Sequence, residues 1–254
     1  MTKKAWYLGC SSGQIAERVI LVGDPTRVTR LSKHLDDAQT LPINRGLVTV
    51  TGTYGGIGIT VSAFGMGAPI ATIVLHELCE LGAKVFLRMG TAIALPPVKL
   101  GDFIIADRAL RNEGTSIAYA PPDYPAIADR DVINAAIGAI NENGRNYHLG
   151  PFASYDAFYR DMFALDDASA DRVQKNFARL SKQGVLAVDM ETSALLTVGR
   201  LLGCKTGSLC LATVNSLEHQ RISNDDMRIS EQDLIAAALR TVVSVELPMR
   251  DMAN

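Results

Sequence analysis

The chain has 254 residues and a formal net charge of −2, because 27 acidic side chains oppose 25 basic ones. Hydrophobic residues make up 48% and charged residues 20% of the chain, which excludes a disordered, highly charged protein. A near-neutral charge gives no electrostatic reason to expect nucleic acid or an anionic membrane as a partner. We therefore expect a globular protein that binds neither.

The cysteines and the apolar runs indicate the compartment. Cys10, Cys79, Cys204 and Cys210 are scattered and form no CxxC pair, which argues against a disulfide scaffold or a zinc site. Buried or idle thiols in a reducing compartment are favoured over a catalytic cysteine. No secretory signal follows the N-terminal lysines, and no apolar run approaches about 18 residues. The expected location is the cytoplasm.

Short β-branched runs alternate with stretches of helical periodicity along the chain. The predicted strands are 18–23, 47–52, 58–64, 84–89, 102–106, 185–189 and 208–214, and the predicted helices are 26–35, 69–81, 131–141, 171–182, 191–202 and 231–245. This alternation predicts an α/β fold around one sheet. Segment 110–129 has no clear period and is predicted to be a long loop. Because the chain has no repeat or linker, a single domain over residues 1–254 is expected.

Two strand ends carry candidate anion-binding residues, since ligands of open α/β sheets bind where strands end. Gly23 opens the turn after the first strand, and Arg27 lies one turn into the next helix. Helix N-termini and arginine both favour a phosphate, although a plain turn with a solvated Arg27 is the alternative. Arg88 lies in an otherwise apolar strand, where a guanidinium requires an anionic partner. A bound anion and an internal carboxylate satisfy that requirement equally well.

A third strand end carries two carboxylates. Asp189 and Glu191 flank Met190 where a strand passes into a helix. Asp189 is suited to cap that helix, because acidic side chains favour helix N-termini. Glu191 either lies at the surface or accepts hydrogen bonds from adjacent hydroxyl groups of a ligand. The glycine loop 64–69 lacks the third glycine of a dinucleotide-binding motif and favours a smaller ligand.

Taken together, seven segments resemble the nucleoside phosphorylase family that includes uridine phosphorylases and hexameric purine nucleoside phosphorylases. They are VGDPTRV (22–28), NRG (44–46), TGTYGG (51–56), FGMGAP (64–69), LRMGTAIALPPVKLGD (87–102), SYDAFY (154–159) and VDMETSALL (188–196). They follow the family's order and spacing over nearly the whole chain. The resemblance implies an α/β single domain with a central mixed, partly barrel-like β-sheet flanked by helices.

The resemblance also implies an activity and a site. The activity is reversible phosphorolysis of a nucleoside to a free base and (deoxy)ribose 1-phosphate, with inorganic phosphate as co-substrate and no other cofactor. The implied phosphate-binding residues are Gly23, Arg27, Arg88, Thr91 and, from a neighbouring subunit, Arg45. The implied ribose- and base-binding residues are Tyr7, Phe158, Met190, Glu191 and Asn215. Of these, Arg27, Arg88 and Glu191 are the implied catalytic residues.

The sequence departs from its relatives mainly where the base would bind. Residues 213–216 lack the aspartate of the purine enzymes, and Val214-Asn215 is more similar to uridine phosphorylase. Met162 and Ala164, however, replace the glutamine and arginine that read uracil, and Arg160 is a candidate substitute. A pyrimidine nucleoside such as uridine is therefore favoured, with a purine nucleoside as the alternative. A hydrolytic nucleosidase and a non-catalytic nucleoside-binding protein rank below both.

Three further expectations concern metals, histidines and assembly. Gly46 stands where uridine phosphorylases have a glutamate tied to a monovalent cation, so no metal is predicted. The four histidines, His34, His76, His148 and His219, lack ligand spacing and are expected to be surface or packed residues. Tyr7 replaces the family's interfacial histidine and, like Arg45, would act across an interface. A dimer is then the minimum unit, and the family's hexamer is a trimer of such dimers.

Overall fold

The computed structural model describes residues 3–216 and 220–248, which form one sheet with helices on both of its faces. The strands are β1 (Arg18–Val22), β2 (Asp36–Thr40), β3 (Thr49–Tyr54), β4 (Ile57–Ala63), β5 (Val85–Ala94), β6 (Phe103–Asn112), β7 (Tyr147–Tyr155), β8 (Ala187–Asp189) and β9 (Lys205–Asn215). The α-helices are α1 (Pro25–Ser32), α2 (Ala68–Glu80), α3 (Gly114–Tyr119), α4 (Arg130–Glu142), α5 (Asp167–Lys182), α6 (Thr192–Leu201) and α7 (Asn224–Ser244). A π-helical turn covers Phe158–Met162.

The sheet is mixed and partly closed. Its strand order is β2-β3-β4-β1-β5-β8-β7-β6-β9, and β9 also pairs with β5. Strands β5, β8, β7, β6 and β9 therefore form a closed five-stranded barrel, and β1, β4, β3 and β2 extend from it as an open sheet. The α/β fold with a mixed, partly barrel-like sheet is confirmed, whereas the extent of the domain over 1–254 stays a prediction.

The alternating side chains of β1 show why the central strands are so apolar. Ile20 and Val22 pack into a core cluster that includes α1, α4 and α7. Val19 and Leu21 point to the opposite face and pack with residues of α2 and α6. A strand that is covered on both faces requires apolar residues at every position, which is why 18–23 is recognisable in the sequence.

Two strands were not predicted, and each has a local reason. β2 is the edge strand, and all five of its residues are exposed, so it carries no hydrophobic period. β7 contains Gly150-Pro151, a pair that normally interrupts strands. The β6–β7 register shifts between Ala106 and Ala109, opposite this pair, which places the proline at an irregularity of the ladder.

Segment 110–129 is more ordered than the predicted loop. It contains the end of β6 and helix α3, and the guanidinium of Arg111 holds the rest together. That group donates to the side chain and carbonyl of Ser116 and to the carbonyls of Ala120, Pro121 and Tyr124, at 2.6–2.9 Å. One half-buried cation thus replaces the missing backbone ladder.

Helix α7 begins seven residues earlier than predicted, at Asn224, because its first turns are polar and show no apolar period. The Ser223 hydroxyl caps it by accepting a hydrogen bond from the Asp226 backbone N–H at 3.1 Å. Across the described residues, no helix combines the length and apolar character needed to cross a membrane.

Candidate active site

A cavity of about 710 Å³ opens where β1, β8 and β9 end beside the middle of β5. Seven of the residues predicted for the site line it together. They are Gly23, Arg27, Arg88, Thr91, Phe158, Met190 and Glu191. The closed barrel and the first βα unit bring these residues together from four separate parts of the chain.

One wall is the junction of β1 and α1. A Cβ atom at Gly23 would lie 2.9 Å from the Gly65 carbonyl oxygen, so this position has no room for a side chain. Asp24 caps α1 by accepting from the Thr26 backbone N–H at 2.8 Å. The helix therefore starts at the cavity, and its dipole favours an anion there.

Arg27 is 8% exposed and forms a buried ion pair that the sequence did not predict. Its Nε donates to Glu231 Oε1 of α7 at 2.8 Å, and Arg30 contacts the same carboxylate at 2.9 Å. The Nη groups of Arg27 have no partner among the described residues. A solvated Arg27 is therefore wrong, and its guanidinium retains free donors beside the cavity.

Arg88 is 5% exposed and lies at the centre of the site. Its Nη2 donates to Glu191 at 2.5 Å and lies 3.3 Å from Asp189, while Nη1 lies 2.7 Å from the Cys210 sulfur. Burial opposes the charge, but Cys210, Asp189 and Glu191 outweigh it and raise the pKa of Arg88 above its ordinary value. Arg88 Nε is buried without a hydrogen-bond partner in the described structure.

The sequence left two possible partners for Arg88, an internal carboxylate and a bound anion, and the geometry bears on both. An internal carboxylate pair is present, and the same guanidinium lines the cavity with one donor unused. An unsatisfied buried N–H is costly, and a bound anion would remove that cost. The pairing therefore orients Arg88 without using all of its donors.

The β8–α6 junction positions both carboxylates. Asp189 accepts from the Thr192 backbone N–H at 3.2 Å and from its hydroxyl at 2.5 Å, which matches the predicted capping role. Glu191 is 5% exposed, which rules out its surface alternative, and its Oε1 accepts from the Gly67 N–H at 2.7 Å. Since an ionised carboxylate offers about four acceptor positions, Glu191 can still accept from a ligand.

Aromatic side chains of the π-helical turn and the residue after it form another part of the cavity. The Phe158 and Phe163 rings lie nearly parallel with centroids 5.8 Å apart, and Tyr159 meets Phe158 edge-on at 5.1 Å. Met162 also lines this part. Arg160, the candidate substitute for a base-reading residue, does not line the cavity: it is exposed and pairs with Asp161 at 3.0 Å.

Tyr7, Arg45 and Asn215 do not line this cavity. Tyr7 and Arg45 instead lie together on the surface, with the Arg45 guanidinium carbon 5.1 Å from the Tyr7 ring centre. Glu77 of α2 fixes this segment by accepting three backbone N–H bonds, from residues 6, 7 and 8, at 2.8–3.0 Å. Asn215 ends β9 and donates its backbone N–H to the Gln220 carbonyl.

Several site residues carried no usable local signal. Glu231 and Arg221 lie in or before α7, far along the chain from the motifs they join. Gly90 had a signal that was missed: it lies two positions after Arg88 on β5 and therefore on the same face of the strand.

The histidines and metal ligands add no further site. His34, His76 and His148 do not line the cavity, and His148 pairs with Asp102 at 2.9 Å. His219 lies outside the described residues. Within the described part of the chain, no group of three or more potential ligands could hold a metal ion.

Comparison with known proteins shows which family this chain belongs to. Residues 17–244 match the phosphorylase superfamily. The chain is 34% identical over 243 residues to a uridine phosphorylase of Thermococcus kodakarensis, covering 93% of this chain and 85% of that protein. It is 31% identical over 242 residues to a guanosine phosphorylase of Halorubrum lacusprofundi, covering 94% and 96%.

A solved structure agrees with these sequence relatives. The crystal structure of uridine phosphorylase from Vibrio fischeri ES114 matches with a TM-score of 0.84 at 30% identity, covering 95% of this chain and 98% of that chain. The chain therefore belongs to the nucleoside phosphorylase family within the phosphorylase superfamily.

Proposed function

We propose that the protein catalyses the reversible phosphorolysis of a nucleoside, with inorganic phosphate as its co-substrate and no other cofactor. The observation that carries this proposal is the meeting of Arg27, Arg88 and Thr91 with Glu191 and Phe158 around one cavity. These groups match the three parts of the reactants: cations and a hydroxyl for a dianion, a carboxylate for a diol, and an aromatic ring for a flat base.

Phosphate is assigned to the arginine side of the cavity. Arg88 Nε and the Nη groups of Arg27 have no partner in the part of the chain that the structure describes, so they are available as charged donors, and Thr91 adds a hydroxyl. Gly23 lets the backbone approach the anion at the start of α1. The carboxylates that pair with both arginines hold them in place before phosphate arrives.

Ribose is assigned to Met190 and Glu191. As the C1′–N bond lengthens, the sugar gains positive charge, which the phosphate dianion stabilises from the opposite face. Glu191 would accept from the 2′- and 3′-hydroxyls and hold C1′ in line with the attacking oxygen. Its contact with Arg88 couples the sugar and phosphate sites, so the two substrates are positioned relative to each other.

Uridine or another pyrimidine nucleoside is the proposed substrate, with a purine nucleoside as the alternative. The relatives named above act on uridine and on guanosine. Val214 lines the cavity in the segment that resembles uridine phosphorylase, and Phe158 would stack on the base. Asn215 would support this wall from the end of β9.

The proposed active unit is a dimer, and a hexamer built as a trimer of dimers is the proposed assembly. Tyr7 and Arg45 lie together outside their own subunit's cavity, as expected for residues that complete a neighbour's site. Trp6 and Ile43 beside them are 81% and 61% exposed, which leaves apolar surface for a second subunit to cover. The cytoplasm is the proposed location.

The decisive experiment is a nucleoside panel assayed for base release with and without phosphate. We expect release to require phosphate and to yield ribose 1-phosphate. In Arg88→Ala the phosphate-dependent release of base should be lost, whereas Arg108→Ala, an exposed control, should behave as wild type. Release at the same rate without phosphate would support hydrolysis instead, and binding without product would support a non-catalytic role.

A further inference from the structure

The aromatic part of the cavity contains a cation that the proposed phosphate and ribose sites do not use. The walls there are apolar or aromatic for the most part, namely Ile93, Phe158, Tyr159, Met162, Phe163, Thr213 and Val214. Arg221 lines the same cavity, and its guanidinium carbon lies 5.9 Å from the centre of the Phe163 ring. Stacking on an aromatic face stabilises a guanidinium while leaving its N–H edges free.

The backbone of Arg221 is held in place by the end of β9. Residue 221 forms an antiparallel bridge with Val214, and on either side the Asn215 N–H donates to Gln220 and the Ile222 N–H donates to Thr213, both at 2.9 Å. The chain before α7 therefore folds back along the strand end that lines the cavity. This pairing directs Arg221 to the cavity independently of local sequence.

Arg221 differs from the other two arginines of the cavity in its partners. Arg27 pairs with Glu231, and Arg88 pairs with Glu191. The Arg221 side chain makes no hydrogen bond or ion pair with any residue in 3–216 or 220–248. Arg221 is exposed, and within the described part of the chain its guanidinium is a charged donor without an acceptor, placed where the base would bind.

We propose that Arg221 binds the departing base and selects bases that present a ring carbonyl over bases that present an amino group there. The inference rests on the proposed function. In that reaction the C1′–N bond breaks with both electrons on the base, a phosphate oxygen bonds to C1′, and the base then takes a proton from water. The charge on the base spreads onto its carbonyl oxygen, which a guanidinium stabilises as an oxyanion donor does.

The selectivity follows from hydrogen-bonding capacity. A guanidinium has five N–H donors and no acceptor. It therefore matches the carbonyl of uracil, hypoxanthine or guanine and opposes the amino group of cytosine or adenine. A site built to hydrogen-bond one exocyclic group rejects the analogue that lacks it far more strongly than an apolar pocket does. Arg221 thus supplies the hydrogen-bond donors to the base that the side chains of Met162 and Ala164 lack.

Two substrate pairs that differ in one exocyclic group test this proposal: uridine against cytidine, and inosine against adenosine. We expect wild-type kcat/KM to favour the carbonyl member of each pair that is cleaved, by roughly 100-fold. Arg221→Met should lose about 100-fold in kcat/KM for that member while its KM for phosphate stays within about twofold. Arg221→Lys, which keeps a charged donor, should recover part of the loss.

Arg160→Met is the matched control, because Arg160 is close in sequence to the aromatic residues but lies outside the cavity; it should retain the wild-type preference. Thermal unfolding of each variant and its KM for phosphate report whether the fold and the anion site are intact. An Arg221→Met enzyme with unchanged discrimination, or a wild type that prefers the amino nucleosides, would overturn the assignment. A wild type that cleaves no nucleoside with phosphate would overturn the proposed function itself, before any variant is compared.

Discussion

Gly90 leaves the space in which the guanidinium of Arg88 lies. A Cβ atom at position 90 would be 2.1 Å from Arg88 Nη1 and 2.8 Å from its Cζ, far inside van der Waals contact. Both residues lie on the same face of β5, so the arginine folds along its own strand toward Glu191. The absence of a side chain at Gly90 therefore sets the position of the central cation.

The substitution Gly90→Ala tests this relationship. Because the obstructed atoms are the tip of a flexible side chain, we expect the guanidinium to move and the strand to remain. A displacement of about 1 Å near the reacting atoms costs roughly 100-fold in rate. The measurement is kcat/KM at saturating phosphate, together with a thermal unfolding curve that should stay near that of the wild type.

The matched control for that experiment is Gly138→Ala. Gly138 is in helix α4, is exposed, and has no atom within 4 Å of its added Cβ. Alanine favours helices over glycine, so this variant should be as active as wild type and slightly more stable. Equal kcat/KM values for Gly90→Ala and wild type would show that Arg88 does not need its observed position.

Substitution of the buried carboxylate separates the ribose site from the phosphate site. In Glu191→Gln the amide keeps one acceptor oxygen but loses the negative charge. Hydroxyl groups donate stronger hydrogen bonds to a charged carboxylate than to a neutral amide. We expect kcat/KM for a riboside to fall roughly 10- to 100-fold, the range for a lost hydrogen bond to a charged group. The KM for phosphate should change less than turnover does.

The 2′-deoxynucleoside provides an internal check of that result. It lacks one of the two hydroxyls assigned to Glu191, so the same substitution should slow it less than the riboside. An identical loss for both substrates, or a KM for phosphate that rises more than kcat falls, would show that Glu191 acts on phosphate and not on ribose.

Mixed oligomers test whether Arg45 acts across an interface. If it does, a dimer of one Arg45→Ala subunit and one Arg88→Ala subunit has one site with both defects and one intact site. Random mixing of two inactive variants should then restore activity in about a quarter of all sites. The measurement is phosphorolysis after co-expression or after unfolding and refolding of the two together.

The control is the same mixture made from Arg88→Ala and Arg27→Ala. Both of those residues line the cavity of their own subunit, so every site in this mixture keeps one defect. Mixing the subunits should therefore restore no activity. Activity that stays at the average of the parent variants in the Arg45 mixture would place Arg45 outside the site altogether.

A pair of thiols gives a prediction of pH dependence. The sulfurs of Cys79 and Cys204 lie 2.8 Å apart, and the hydrogen bond from Cys204 lowers the pKa of Cys79 below its ordinary value. Burial raises the pKa of Cys10 and Cys210. Because only the thiolate reacts, iodoacetamide should label Cys79 first, and its labelling should begin at a lower pH.

The substitution Cys204→Ala removes the hydrogen-bond donor, so the pKa of Cys79 should rise. The curve of its labelling rate against pH should then shift toward higher pH. Peptide mapping by mass spectrometry across about pH 6 to 10 measures both effects. A Cys10→Ala variant is the control and should leave the Cys79 curve unchanged. Equal labelling of all four cysteines, or no shift in Cys204→Ala, would contradict the paired arrangement.

The elements that position the site were predictable because each depends on its own sequence. The run 18–23 is apolar on both faces, which identifies β1 as a buried strand, and Gly23 and Arg27 follow directly from it. Asp189 likewise caps α6 from three residues away. The segments with no local period, β2 and the first turns of α7, were missed for the same reason.

The sequence by itself determined which chemical groups stand at the strand ends, and with the family motifs it determined the fold. Only the tertiary structure decided how those groups are paired: Arg27 with Glu231 across 204 positions, Arg88 with Glu191 across 103, and Arg221 with no acceptor among the residues that the structure describes. Local patterns record whether a residue is buried, because burial repeats with the period of a strand or helix. Ion-pair partners depend instead on the closure of the barrel and on the packing of α7 against the sheet. The local period of a sequence contains no information about either.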